Sequence, residues 1–113
     1  MDRKYCVFYV DNDELLRELI ISKENNELTK RAIEILLLMV DRISRTQSYK
    51  YEEDREDCMA FAIENICMQW KMYDSNKSDE VFTYFTSLIM NGLKQGWNKL
   101  YKEKYNVTIY NIF

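Results

Sequence analysis

Apolar residues return every three or four positions along most of the chain, a spacing that predicts four helices joined by short polar turns. In the first, Leu15, Leu16, Leu19 and Ile20 form the inward stripe. Asp11 or Asn12 is placed to cap it, and Asp13 and Glu14 sit in the first turn, where the helix dipole favours acids. The pattern breaks near Lys23, before the polar stretch Glu24 to Glu27. A second helix is expected from about Glu27 to Arg45, with Ile33, Leu36, Leu37, Val40 and Ile43 inward and Ile35, Leu38 and Met39 widening the stripe. So broad an apolar surface marks it as the central helix. After a link from Thr46 to Tyr51, a third helix covers 52–72. Met59, Ile63, Ile66, Cys67 and Trp70 form its inner face, and Asp57, Ala60, Phe61, Glu64, Asn65 and Met68 its outer face. The fourth, 79–104, repeats Val81, Phe85, Leu88, Ile89, Leu93, Trp97 and Leu100.

The fold class that follows is all-α, a compact bundle of about four helices. Residues 1–10 lead into it as an extended arm, because Tyr5 to Val10 are β-prone and have no visible partner strand. Residues 105–113 form an apolar tail. Composition agrees with this reading. The 113 residues suit a single domain, 47% are hydrophobic, and there is no proline and only two glycines to interrupt helices.

Chemistry narrows the function classes. No histidine is present to act as general base or to complete a zinc set with Cys6, Cys58 and Cys67. There is no glycine-rich phosphate loop and no nucleophile elbow, and the acids cluster on one helix. The chain reads as a non-enzyme without a cofactor. The cysteines read as reduced, mostly buried thiols, no run is long enough to span a membrane, and Met1 to Tyr5 lacks the shape of a signal peptide, so a cytoplasmic location is expected.

A net charge of −3 disfavours sequence-independent coating of nucleic acid, yet the charge is unevenly distributed. Glu52, Glu53, Asp54, Glu56 and Asp57 make an acidic cluster, whereas from Val81 onward four lysines face one acid, Glu103. That asymmetry orients a protein that binds DNA inside a larger assembly. The side of the fourth helix away from its apolar stripe carries Phe82, Thr83, Tyr84, Ser87, Asn91, Lys94, Gln95, Asn98, Lys99 and Lys102. Aromatic faces stack on unpaired bases, hydroxyls and amides bond base edges, and ammoniums pair with phosphates. The same order also suits an ordinary helix in which Phe82 and Tyr84 pack inside and the lysines are solvated. On the third helix, Asp57, Phe61, Glu64, Asn65 and Met68 combine large apolar groups with charge, as a partner surface does.

The segment FTYFTSLIMNGLKQ, preceded by MQWKMYDSNKS, resembles the minus-ten-reading part of region two of the sigma factor family. It is most similar to the branch formed by late-transcription sigma factors of T-even-like phages, which aligns without a gap from Tyr73 to Lys104. In that alignment Tyr73 and Asp74 fall on an aromatic-Asp pair, and Tyr84 falls on the aromatic that stacks with the flipped promoter adenine. Thr86, Asn91 and Gln95 fall on shared polar positions. The bacterial tryptophan pair is replaced by Ser87 and Leu88. NDELL at Asn12 to Leu16 matches the helix that follows the family's aromatic arm. The resemblance implies that the third helix grips the clamp coiled coil of RNA polymerase, with Asp57 on its acidic start. Ala60 and Phe61 stand where bacterial factors have Gln and Glu, so those contacts do not carry over one for one.

The implied function is a phage sigma-like factor in a bacterial host, one that binds RNA polymerase core and directs it to late promoters through an A·T-rich minus-ten element in promoter DNA. A sliding clamp or phage coactivator is a further implied partner, although Ile109, Tyr110, Ile112 and Phe113 have no acid beside them, unlike the family's clamp-binding tail. The alternative is a polymerase-binding regulator or interaction module that does not read DNA.

Overall fold

The computed structural model describes residues 11–74 and 80–103; the expected arm (1–10), most of the turn before the last helix (75–79) and the tail (105–113) lie outside them. The described residues form α1 (Asn12–Asn25), α2 (Lys30–Ser44), α3 (Glu52–Gln69) and α4 (Val81–Glu103), with a single 3-10 turn, Trp70–Met72, extending α3. The bundle is all-α, and no helix among the described residues is long and apolar enough to cross a membrane.

Side-chain caps set the boundaries. Asp11 accepts the Asp13 and Glu14 amides at 2.9 and 3.3 Å, which satisfies two of the free N–H groups that open a helix. α1 ends where Asn26 turns left-handed at φ 59°, a conformation asparagine tolerates. The next turn is tied down on both sides: Thr29 Oγ1 donates to Glu18 at 2.6 Å and accepts the Ala32 amide at 3.1 Å, while its own amide donates to Ser22 Oγ at 3.0 Å. Thr29 is therefore the cap of α2, which starts at Lys30 and not near Glu27. α4 is capped from a distance, because the Phe82 amide donates to Asn12 Oδ1 at 3.0 Å and so joins the starts of α1 and α4.

The core is built from Leu15 and Leu19, from Ala32, Ile35, Leu36, Met39 and Val40, from Cys58, Ala62 and Ile66, and from Val81, Phe85, Leu88, Ile89 and Leu93. In α4 the buried stripe follows the periodic pattern, with Trp97 and Leu100 partly buried at its end. Elsewhere the register differs. In α2 the inward face has shifted, so that Ala32, Ile35 and Met39 are buried while Ile33 and Leu37 are 42% and 44% exposed. In α1, Ser22 is buried and Ile20 is exposed, because Ser22 has its hydroxyl bonded to the Glu18 carbonyl at 2.6 Å and to Thr29. α2 touches each of the other helices as expected of a central helix, but α4 does so too, and the α3–α4 pair is the most extensive.

That pair explains the remaining shift. α4 presents Gly92 and Gly96 to α3, and a Cβ at Gly92 would fall 2.5 Å from Ala62 Cα. Backbones this close admit only small partners, so Cys58 and Ala62 face α4, Met59 and Ile63 are half-buried, and Cys67, expected inside, is exposed. Burial pushes the Cys58 thiol up to about 11, with Asp57 and Asp54 adding to the effect.

A buried polar cluster fixes the link between α2 and α3 against the end of α4. Arg55 donates to Ser44 Oγ at 2.7 Å, to Asp41 Oδ1 at 3.3 Å and through Nε to Glu52 at 2.8 Å. The Tyr101 hydroxyl accepts the Lys50 amide at 2.7 Å and lies 3.4 Å from the fully buried Asp54 carboxylate, to which it donates. Asp41 and Glu52 are both held below the usual carboxylate range. Hydrogen bonding to Arg45 is the largest cause for Asp41, and bonding to Arg55 is the largest for Glu52.

Candidate nucleic-acid interface

α4 contains 23 residues, which at the α-helical rise makes a rod about 34 Å long. Its buried positions include Val81, Phe85, Leu88, Ile89, Gly92, Leu93 and Gly96, so the opposite side is left to solvent over the full length. The structure brings the expected residues onto that side: Phe82, Thr83, Ser87, Asn91, Lys94, Gln95, Lys99 and Lys102 are exposed, and Asn98 is half-buried. Lys94 and Lys102 have no ion-pair partner among the described residues, and Lys99 approaches Glu103 at 3.8 Å. Both members of that pair are largely exposed, so it is worth little, and its ammonium can be given up to another anion.

Tyr84 is the residue whose setting differs most from the expectation. Its ring centroid lies 5.3 Å from that of Tyr73 and 5.1 Å from that of Phe85, nearly perpendicular to the latter. Its hydroxyl donates to the Gln69 carbonyl at 2.8 Å, which ties α4 to the end of α3, and burial raises its pKa. The ring is half-buried among protein groups and is not offered to solvent as a free stacking face. The aromatic that is exposed at this end is Phe82, at 39%.

The outer face of α3 divides in two. Asp57, Glu64 and Met68 are exposed, together with Glu53 and Glu56, so this surface is acidic. Phe61 and Asn65 sit instead on the seam with α4. Asn65 donates to the Leu88 carbonyl at 3.3 Å, and the Phe61 ring lies where a Cβ on Gly96 would come within 2.9 Å of it. A groove of about 470 Å³ opens beside that ring, with Asp57, Ala60, Lys99 and Glu103 on its walls. Met68 continues into Met72, one turn further, and the two are 70% and 72% exposed. Met72 is not among the expected partner-surface residues, and its four-residue spacing from Met68 is the one signal for it in the chain.

The acidic, methionine-bearing side of α3 and the lysine, amide and hydroxyl side of α4 are thus carried by two helices locked backbone to backbone. Contacts to one would set the position of the other. No family model, curated protein or solved structure matches the chain.

Proposed function

We propose that this chain is a sigma-like specificity factor, one that binds bacterial RNA polymerase core through α3 and presents α4 to an A·T-rich minus-ten-type promoter element. The observation that carries the proposal is the outer face of α4, a continuous solvent-facing strip of lysines, amides and hydroxyls with a single acid, on a protein whose net charge is −3. Such a strip suits phosphate pairing and base-edge bonding, while the acidic surface of α3 opposes DNA and fits a basic partner. Exposed Met68 and Met72 supply adaptable apolar contact for that partner.

A second reading is favoured by Tyr84. Because its ring and hydroxyl are engaged by Tyr73, Phe85 and Gln69, a base-stacking role there would require it to leave the packed cluster. A polymerase-binding regulator that does not read DNA needs no such release.

The test is transcription by core polymerase on an A·T-rich template with the parent and a Lys94→Glu/Lys99→Glu/Lys102→Glu variant. The parent should give selective initiation, and the variant should keep polymerase binding but lose selectivity, with the log–log salt slope reduced by about three. Polymerase binding by the parent without any template selectivity would support the regulator instead. Failure of the parent to bind core polymerase would reject both readings.

A further inference from the structure

A cleft of about 290 Å³ lies between the α2–α3 link and the second half of α4. Its apolar walls are Tyr49, Met90, Leu93 and Trp97, and Gln47 and Lys94 bring an amide and an ammonium to it. We infer that this cleft takes a single unpaired nucleobase with its phosphate on Lys94, an inference that rests on the nucleic-acid-reading role proposed above and places base capture here and not at Tyr84.

Three features of the cleft point to that ligand. First, the indole is held in place before anything binds. Trp97 Nε1 donates to the Ser48 carbonyl at 3.1 Å, and the ring lies nearly parallel to Tyr101, with centroids 4.2 Å apart and planes 26° apart. A ring fixed by protein contacts loses little freedom when another ring stacks on it. Second, two of the four apolar walls, Tyr49 and Trp97, are aromatic while the charge is cationic. Lys94 has no ion-pair partner among the described residues, and the Gln47 amide is only loosely engaged, at 3.0 Å from Thr46 Oγ1 and 3.9 Å from Met90 Sδ. An apolar protein side chain would make no use of either group, whereas a nucleotide has a ring edge for the amide and an anion for the lysine. Third, the volume of about 290 Å³ suits one ring and excludes a duplex.

The base could come from an opened DNA strand or from a free nucleotide, and the two are separated by experiment. The chain has two tryptophans, so the indole N–H signals of the ¹⁵N-labelled full-length protein are two, assigned with a Trp70→Phe variant. Titration at low salt with a single-stranded hexadeoxynucleotide, and separately with deoxyadenosine monophosphate, should shift the Trp97 signal. Lys94→Glu should weaken that response by about tenfold. Thr46→Tyr, at an exposed position on the rim, should fill the cleft and abolish the response while the helical circular dichroism is kept. Whichever probe binds more tightly identifies the source. If neither probe moves the Trp97 signal, or if the shift persists undiminished in both variants, the inference is wrong. Selective transcription by the parent with no Trp97 response would reject the cleft and leave the proposed function standing. A Trp97 response without any selectivity on polymerase would do the reverse.

Discussion

Replacing Gly92 by alanine sets two effects of opposite sign against each other at a position that links the two surfaces. Within an exposed helix the change should stabilise by roughly 1 kcal/mol, because alanine is the better helix former. Here the added Cβ would lie 2.5 Å from Ala62 Cα, 2.8 Å from Ala62 N and 2.9 Å from the Phe61 carbonyl oxygen. All three atoms are backbone, so no side chain can rotate away, and α4 must move off α3 as a body by roughly an ångström to restore ordinary contact. Overpacking of this kind costs about 1–3 kcal/mol, and more where relief requires two helices to separate along their most extensive contact. The net expectation is destabilisation by about 2 kcal/mol, which for a chain of 113 residues lowers the melting temperature by roughly 8 °C. Thermal denaturation followed by circular dichroism measures it, with Ser87→Ala on the exposed face of the same helix as the propensity control. Pairing Gly92→Ala with Ala62→Gly should not rescue stability, since the clash is with Ala62 backbone and not with its methyl group. A melting temperature equal to or above the parent's, or full rescue by Ala62→Gly, would refute the argument that backbone contact locks α3 and α4 together.

The remaining predictions concern groups whose partners the structure identifies. Tyr84→Phe removes the donor to the Gln69 carbonyl and should cost about 1 kcal/mol, whereas Tyr84→Ala also opens a void in the aromatic cluster and should cost about 3 kcal/mol; an unchanged melting temperature in Tyr84→Ala would return the ring to the solvent-facing role. Asp41 and Glu52 have folded pKa values below their unfolded ones, so the stability they contribute is present above the usual carboxylate range and is lost as pH falls through about 4 and below. Arg55→Ala should therefore lower stability at pH 7 and flatten the acid-side decline; parallel pH profiles of parent and variant would contradict this. In a Cys6→Ser background, a thiol reagent at neutral pH should modify exposed Cys67 quickly and Cys58 only on unfolding, because burial keeps Cys58 protonated; equal rates would show that α3 does not pack as described.

The number of helices, the extent of α3 and the buried stripe of α4 were legible in the chain, because an amphipathic helix that packs along one face shows its period in sequence. The outer strip of α4 was legible for the same reason, since the positions left over after Val81, Phe85, Leu88, Ile89 and Leu93 are turned to solvent. The register of α2 was not. Ile33, Leu36 and Leu37 are as apolar as Ile35 and Met39, and only the direction from which α3 and α4 approach selects between them. Nor could spacing show that small residues would outrank large ones on α3. Cys58 and Ala62 are inside because Gly92 and Gly96 bring a second backbone against them, a fact about a pair of helices that neither helix carries alone. Tyr84 lies at a position that periodicity assigns to either face, and its hydroxyl bond to Gln69 and its ring contacts with Tyr73 and Phe85 exist only once the chain has doubled back. The cleft at Trp97 has the same origin, since Tyr49 and Gln47 come from a link some fifty residues away and nothing local marks them as its walls. Local periodicity thus determined which segments are helical and which strip of α4 is polar, whereas side-chain environments that depend on two segments meeting were decided by the tertiary structure, because contact between distant residues is a property of packing and not of spacing.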